Sequence, residues 1–438
     1  MQHFITHGCT VLTLVFCSQG CSTTHEDTPP EMPIDASAME STLDSATDAN
    51  IVPDLALAPD AGPPPALDGA TPVTLENLPL LSIQPTLALG ADGRLAVAGC
   101  GGDADDLGIW FALLDADNTP LQSPYALDTT TMGIQNEPSV CALVNGGYVV
   151  VWSMDAQETN ADGQNLYVRG RRVDADGTPT DAADFEVHSG QPGNHWLGEV
   201  ACDPQGGFMV VGARSEDNQT FGVFAQRFDE QGALRGAAIT LNSETMGTQA
   251  FPAADIAENG DAVIVWQDNP FDGQPDAINR IVARRLPADA DAPPEREIII
   301  TRPTYDATRP HVAVDPQSEG FLVGATLDNR HIGVYVVDSD DAVTEVTVPR
   351  DGTRHSPIAR AAGHDRYLVL HSNGVNMGAS PSLFLVDAGQ LTDGPVELTA
   401  GNLPPYSVAL AYRAGSSAIG WTVRQDNGDM AVRIARTP

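Results

Sequence analysis

From about Pro72 onward the chain is one segment repeated with substitutions, and this repeat restricts the possible folds more than any other feature. The clearest copy is Gln135–Asp174, QNEPSVCALVNGGYVVVWSMDAQETNADGQNLYVRGRRVD. An apolar alternation leads into a glycine turn at Asn145–Gly147, a second run covers Tyr148–Trp152, and a third covers Leu166–Val173. Period-two alternation broken by glycine, asparagine and aspartate is typical of short antiparallel strands joined by tight turns.

The glycine turn occurs seven times, roughly 45 to 60 residues apart, and an apolar run follows each occurrence. The turns are Asp92-Gly93, Gly146-Gly147, Gly206-Gly207, Asn259-Gly260, Glu319-Gly320, Gly363-His364 and Gly415-Ser416. With four strands in each unit, the pattern predicts an all-β fold, a seven-bladed β-propeller of four-stranded antiparallel blades, because radial closure leaves few strand edges exposed. Pro72–Pro79 parallels Pro395–Pro404, so we expect this N-terminal strand to complete the last blade.

Three segments are predicted: a signal peptide at residues 1–20, an acidic tether at 21–71 and the propeller at 72–438. The short apolar run Val11–Phe16 is typical of an export signal. Gly20-Cys21 resembles the lipobox of bacterial lipoproteins, which implies a lipid anchor at Cys21. Ordinary cleavage and a misassigned start are the alternatives. The tether has ten acidic and no basic side chains, a composition that cannot bury a core.

The charge of the chain excludes two classes of partner. Acidic residues number 59 against 22 basic ones, the formal net charge is −37, and every basic residue is an arginine. Such a surface repels nucleic acid and anionic lipid head groups. No other stretch approaches the ~18 apolar residues of a membrane helix, so we expect membrane attachment only through the lipid on Cys21.

Three cysteines lie in the repeats, which permits one disulfide and one free thiol. Cys141 and Cys202 belong to the innermost strands of adjacent units and sit one residue out of register, so their side chains can face each other between blades. Export favours oxidation. We therefore expect a Cys141–Cys202 bridge, with Cys100–Cys141 or no bridge as the alternatives.

Two of the repeats carry a longer motif. It reads Thr131-Met-Gly-Ile-Gln135-x-x-Pro138 and Thr245-Met-Gly-Thr-Gln249-x-x-Pro252, each followed by a strand, a glycine turn and Val-x-Val-Trp. Together with Val223–Asp229, this resembles the propeller-type repeats of large secreted bacterial proteins, including adhesin-like and RTX-associated chains. The resemblance covers about residues 73–438. It implies a fold and no shared catalytic residues.

Acidic loops on one face are the candidate metal site. Ca²⁺ takes six to eight oxygen ligands, and we consider a calcium site at Asp103, Asp105, Asp106, Asp268 and Asp272. These residues lack the spacing of an EF-hand or nonapeptide site, so solvated loops are the alternative reading. No zinc motif, nucleophile elbow or phosphate loop is present, and Trp152, Trp266 and Trp421 recur at one core position.

These features predict an exported, lipid-anchored β-propeller acting as a non-enzymatic binding or scaffold module of the bacterial cell envelope. It would be a monomer, anchored to the outer membrane or located outside the cell or in the periplasm, with an envelope protein or a glycan as partner. The alternative is an extracellular polysaccharide hydrolase or lyase that uses acidic loop residues as acid and base. A purely structural envelope part is the third possibility. We assign no catalytic residue and no cofactor other than Ca²⁺ from the sequence.

Overall fold

The structure is a computed structural model. It describes residues 72–79, 82–103, 106–156, 165–188, 193–215, 220–243, 245–270, 277–292, 296–302, 304–316, 320–328, 331–348, 358–363, 365–372, 381–397, 407–413, 415–425 and 429–436. The signal peptide, the tether and Cys21 therefore lie outside the described residues. Within the described part there is no helix long and apolar enough to cross a bilayer.

The regular elements of these residues are β-strands. The first fourteen are β1 Val73–Thr74, β2 Ile83–Leu89, β3 Leu95–Gly102, β4 Leu107–Leu114, β5 Tyr125–Ala126, β6 Ile134–Ala142, β7 Tyr148–Asp155, β8 Leu166–Val173, β9 Phe185–Glu186, β10 Asn194–Cys202, β11 Phe208–Ser215, β12 Gly222–Phe228, β13 Leu234–Thr240 and β14 Thr248–Ile256.

The remaining strands continue the same pattern of three long strands and one outer strand. They are β15 Ala262–Asn269, β16 Arg280–Leu286, β17 Ile298–Ile299, β18 Ala307–Val314, β19 Phe321–Leu327, β20 His331–Val337, β21 Val343–Glu345, β22 Ile358–Gly363, β23 Arg366–Ser372, β24 Pro381–Asp387, β25 Gln390–Glu397, β26 Val408–Arg413, β27 Ser416–Arg424 and β28 Met430–Arg436.

Consecutive strands pair antiparallel into four-stranded sheets, as the repeat predicts. Four of these sheets are β10–β13, β14–β17, β18–β21 and β22–β25, and a fifth joins β26–β28 to β1. In that sheet Val73 lies opposite Ile434, so the N-terminal strand occupies the outer position next to β28. Strands β2–β5 and β6–β9 form one eight-stranded sheet, and a single parallel pair, Leu107 with Ile134, links its two halves.

The core lies between sheets. In β7 every residue from Tyr148 to Met154 is buried, because one face of the strand contacts the preceding sheet and the other contacts the next. One core cluster joins Leu87 and Trp110 near the start of the array to Ala409 and Ile434 at its end. The prediction that the recurring tryptophans belong to the core is confirmed: Trp152, Trp266 and Trp421 are at most 1% exposed.

The first strands of successive units lie side by side in chain order, β2, β6, β10, β14, β18, β22 and β26, and β26 also contacts β2. Side-chain hydrogen bonds support these contacts. The backbone N–H of Gln84 donates to the hydroxyl of Ser407 (3.1 Å), and that of Glu137 donates to the side-chain oxygen of Gln84 (3.0 Å). The N–H of Val200 donates to Ser139 (3.2 Å).

Cys141 and Cys202 form a disulfide between β6 and β10, with their Cα atoms 5.5 Å apart. The bridge closes a loop with a sequence separation of 61 residues. By chain entropy, closing a loop of that length stabilises the folded state by about 4 kcal/mol. Cys100 keeps a free, buried thiol, which donates to the side-chain oxygen of Gln84 (3.1 Å). A disulfide fits the predicted export.

The Thr-Met-Gly-x-Gln motif has a structural reason in both of its copies. The side-chain amides of Gln135 and Gln249 donate to the backbone carbonyls three residues earlier, at 2.9 and 3.0 Å. The intervening Gly133 and Gly247 have φ of +82° and +75°. A Cβ at these two positions would lie 2.1 and 2.0 Å from a backbone carbonyl oxygen of the second strand. Only glycine therefore fits the turn into the first strand.

We expect Gly133→Ala to cost much more stability than Gly415→Ala. Gly415 also has a positive φ, +89°, but nothing lies within 4 Å of its added Cβ. The left-handed backbone costs an alanine about 1 kcal/mol in both variants. The carbonyl contact at Gly133 adds ~1–3 kcal/mol of overpacking. Urea unfolding measures both free energies, and equal losses would contradict this account of the motif.

Candidate active site

The residues proposed for calcium do not converge in the described structure. The carboxylate of Asp103 accepts the backbone N–H of Asp106 (2.8 Å), which closes the loop between β3 and β4. The buried Asp268 receives Arg280 (2.7 Å) on one oxygen and Gln249 (3.1 Å) on the other. Asp105 and Asp272 lie outside the described residues. No group of three or more His, Cys, Asp or Glu side chains in the described ranges is placed to hold a metal ion, and calcium stays a prediction.

Two histidines from neighbouring units, seven residues apart along the chain, pack against each other in the core. The rings of His188 and His195 stack with centroids 4.1 Å apart, and the edge of Phe224 meets the first ring. Burial, followed by the neighbouring Arg214, lowers the pKa of His195 to about 4. Burial lowers the pKa of His188 as well, and His195 lowers it further. Both imidazoles are therefore neutral at pH 7 and serve packing.

The first strands hold a different group of ionisable side chains, which we call the central cluster. Its members are Glu137 on β6, Glu199 on β10, Asp255 on β14, Arg309 and His311 on β18, and Arg360 on β22. Arg309 is exposed and the other five are partly exposed. Solvent therefore reaches the cluster although protein surrounds it.

A repeated irregularity in the first strands places part of this cluster. The pairing of β2, β6, β10, β14 and β18 with the following strand shifts register near the start of each first strand. One residue at each shift has a φ of +50° to +57°, and these five bulge positions are Gln84, Glu137, Leu197, Phe251 and Arg309. Proline or glycine follows each of them. Because proline has no N–H for the ladder, it is typical of bulges, and it separates the bulge residue from regular pairing.

The members of the cluster lie within electrostatic range of one another across the array. Glu137 interacts with Arg309, although β6 and β18 belong to sheets three positions apart. Glu199 interacts with Arg360 across the same separation, from β10 to β22. Such pairs meet only if their side chains project away from their own sheets into the region between the first strands.

Glu199 is the candidate proton donor of this cluster. Burial raises its pKa to about 8, Asp255 raises it as well, and Arg360 opposes the rise. The side chain is therefore mostly protonated at pH 7 and can give up a proton. Burial raises the pKa of Glu137 too, and Arg309 opposes this. Its second carboxylate oxygen is buried and has no hydrogen-bond partner among the described residues.

His311 and Asp255 are the other two proton-transfer groups of the cluster near Arg360. Burial, together with Arg360 and Arg309, lowers the pKa of His311 to about 4, so the imidazole is neutral at pH 7 and can accept a proton. Burial raises the pKa of Asp255, while the backbone N–H groups of Val314 (2.9 Å) and Ile256 (3.0 Å) hold its two oxygens. A carboxyl with a raised pKa and a neutral imidazole are groups that general acid–base chemistry can use.

The sequence reasoning missed this cluster, although a signal was present. Counting from the proline or glycine after each bulge, Glu199 and His311 occupy the first position, where other units have Thr86 or Ser139. Asp255 and Arg360 occupy the third position, where small or apolar residues are usual. Charged residues at inward positions of otherwise apolar strands mark a site, but only after the repeats are aligned on their bulges.

No protein-family model matches the sequence, and no curated protein matches it. Solved structures do match in fold. An ulvan lyase, a polysaccharide lyase bound to -[GlcA(1-4)Rha3S]-, superposes with a TM-score of 0.56 at 9% identity, over 82% of this chain and 95% of that one. A Dyadobacter fermentans protein of unknown function gives 0.50 at 10% identity, over 84% and 98%. An α-L-arabinanase of Penicillium chrysogenum gives 0.47 at 13%, over 70% and 93%.

These comparisons define an all-β protein of β-propeller-like architecture, since at such identities a likeness shows the fold alone. They also correct two predictions. The resemblance to RTX-associated and adhesin-like repeats has no support from any sequence family. The expected non-enzymatic binding or scaffold module is contradicted, because the chain shares its fold with a polysaccharide lyase. The alternative, a polysaccharide hydrolase or lyase, agrees better with these findings.

We expect Glu199→Gln to stabilise the protein at alkaline pH and to have little effect at pH 5. The folded-state pKa of about 8 lies above the 4.5 of an ordinary glutamate. The folded protein therefore keeps a proton that the unfolded chain releases, and this stabilisation is lost as pH rises from 4.5 to 8. The amide cannot ionise, so the variant avoids that loss.

Thermal unfolding between pH 5 and pH 9 measures the effect. The difference in Tm between the variant and the wild type should grow by ~2 °C or more across this range. Glu258→Gln changes an exposed glutamate and serves as the matched control, with no such trend. Parallel curves for Glu199→Gln and the wild type would contradict the protonated state of Glu199.

Proposed function

We propose that this chain is a glycan-cleaving enzyme, a polysaccharide hydrolase or lyase, whose acid and base belong to the central cluster. The observation that carries the proposal is that Glu199, with a raised pKa, and His311, with a lowered pKa, both lie within the electrostatic influence of Arg360 and are both partly exposed. The fold shared with a polysaccharide lyase supports it. The alternative predicted from the sequence placed the acid and base in the acidic loops, whereas this proposal places them among inward-facing residues of the first strands.

The proposal includes a ring architecture, a seven-bladed propeller in which β1 completes the last blade. Three observations support it: β26 contacts β2, one core cluster joins the two ends of the array, and Gln84 bonds Ser407. Arginines add links between units. Arg436 donates to the carbonyl of Gly93 (2.6 Å), and Arg94 donates to that of Ala175 (2.5 Å). A ring places the central cluster around a common axis, where a glycan chain can enter.

Both reactions need a proton donor for the glycosidic oxygen, but they break different C–O bonds of that oxygen. Glu199 gives its proton to the glycosidic oxygen as one of its bonds to a sugar carbon breaks, so the leaving sugar departs with a hydroxyl group. In hydrolysis the bond to the anomeric carbon breaks, and water adds to that carbon and loses a proton to His311. In elimination, His311 takes the proton from the carbon next to a uronate carboxylate, and a C=C bond forms as the C–O bond breaks. Arg360 stabilises the negative charge that develops in that case.

We expect Glu199→Gln and His311→Asn to lower the rate of glycan cleavage by ~10²–10⁴-fold, because each removes a proton-transfer group. The assay uses the full chain and a panel of neutral and uronate-containing polysaccharides. New reducing ends report any cleavage, and ultraviolet absorbance of an unsaturated product reports elimination. Thr86→Ala is the matched control, because Thr86 occupies the same repeat position as Glu199 and His311 without an ionisable group.

Thermal unfolding of each variant separates loss of activity from loss of fold. Thr86→Ala should keep the wild-type rate within about threefold, since it removes no ionisable group from the inward repeat position. The proposal fails if the wild type cleaves no polysaccharide of the panel. It also fails if both cluster variants remain as active as the wild type.

A further inference from the structure

We propose that Arg309, stacked on Phe251, is a subsite for the carboxylate of an acidic sugar. The subsite lies at the bulge positions next to the acid and base of the central cluster. The inference rests on the proposed glycan-cleaving function and extends it by naming the substrate class, a uronate-containing polysaccharide.

The bulge positions are five equivalent places on one scaffold, and their side chains differ in chemistry. Each has the same left-handed backbone and the same following proline or glycine. The side chains are Gln84, Glu137, Leu197, Phe251 and Arg309. Positions with the same backbone but different side chains are suited to ligand recognition, because the fold fixes where each side chain lies and its identity determines what it can bind. Polar and acidic groups come from β2 and β6, while the aromatic ring and the guanidinium come from β14 and β18.

Arg309 is held by an aromatic ring and not by an acid. Its guanidinium carbon lies 4.7 Å from the centroid of the Phe251 ring, and the residue is exposed. Among the described residues no ion pair or hydrogen bond engages its side chain. By contrast, Arg280, Arg284 and Arg366 each have a carboxylate partner at 2.7 to 2.9 Å. In a chain with 59 acidic residues and 22 arginines, an arginine that has no carboxylate at ion-pair distance among the described residues is available for a ligand.

The geometry of the pair favours a carboxylate. The guanidinium carbon lies over the Phe251 ring, and an arginine in such a cation–π contact can still donate from an N–H edge. That edge offers two parallel donors, which match the two oxygens of a carboxylate. Arg309 also interacts with Glu137 from across the cluster, so a carboxylate is an anion the site already tolerates there.

The left-handed backbone of both residues costs conformational free energy, which favours a functional role for these positions. Phe251 and Arg309 have φ of +51° and +50°, in the region that L-residues avoid. Such a backbone costs about 1 kcal/mol for each residue. Pro252 and Pro310 follow them, and both prolines are buried. The cost is the same for any residue with a Cβ, so the backbone alone does not explain why an exposed arginine occupies this position.

The test compares polymers that differ only in the acidic group. Binding of the full chain to polygalacturonate and to alginate is measured by affinity electrophoresis or calorimetry, beside the carboxyl-reduced form of each polymer. Arg309→Gln should lose ~10-fold or more in affinity for at least one of the two polyuronates, which is the value of a charge-assisted bidentate contact. Its affinity for the reduced forms should stay at the wild-type level.

Two variants control for the loss of charge and for the loss of the Phe251 ring. Arg296→Gln removes the same charge from an exposed arginine that pairs with Asp341, and it should bind as the wild type does. Phe251→Leu keeps the guanidinium and removes the ring, so a smaller loss confined to the polyuronates is expected. Thermal unfolding confirms that each variant is folded. If Arg309→Gln binds both polyuronates as well as the wild type does, the subsite is wrong.

Activity on the same polymers separates this inference from the proposed function. If binding of a polyuronate depends on Arg309 but no polymer is cleaved, the subsite stands and the enzyme proposal falls. If the wild type cleaves a polymer but neither binds nor cleaves its acidic form better than its reduced form, the enzyme proposal stands and the subsite falls.

Discussion

The face-to-face contact between neighbouring sheets is the interaction on which the rest of the structure depends. The second strand of a unit is apolar on both faces, as in Tyr148–Met154, and a four-stranded sheet alone would leave one or both faces in water. Each core cluster accordingly draws residues from two adjacent units. Burying a side chain such as Trp152 or Trp266 contributes about 2–3 kcal/mol, and this gain exists only when the next sheet is in place. The array therefore folds as a whole.

Because the apolar core lies between sheets, residues of each first strand that face the space between the first strands have no apolar surface to bury. In this space a charged side chain loses hydration, but protein and solvent still allow a charge there. The bulges release these strands from regular pairing at the point where Glu137 and Arg309 are placed. In the same region burial raises the pKa of Glu199 and lowers that of His311. One enclosure thus prepares a proton donor and a proton acceptor by the same physical effect, loss of water around a charge.

The sequence was sufficient for the repeated four-stranded unit and insufficient for the site. Strands such as Ala262–Asn269 follow from local alternation, and Trp266 follows from its recurrence at one position. Register and the predicted export favoured a Cys141–Cys202 bridge but left Cys100–Cys141 or no bridge as alternatives. The cluster could not be predicted in this way, because Glu199, Asp255 and His311 are separated by more than fifty residues along the chain and only the fold brings them together.

The acidic loops were predicted as a calcium site because they contain many carboxylates. The structure gives Asp268 a different role, since its carboxylate neutralises Arg280 and accepts a hydrogen bond from Gln249 at the start of β14. Searching for local catalytic motifs also led to the expectation of a non-enzymatic module. A site contributed by five strands, with one or two residues from each, has no local motif to find.

The most direct test of this account is a crystal structure of the Glu199→Gln protein with bound oligosaccharide, obtained with neutral and uronate-containing fragments. The account predicts a sugar chain between β10 and β22, with a glycosidic oxygen about 3 Å from the side-chain amide at position 199. Oligosaccharide bound only along the acidic loops or on the outer strands, with none in the central cluster, would contradict it.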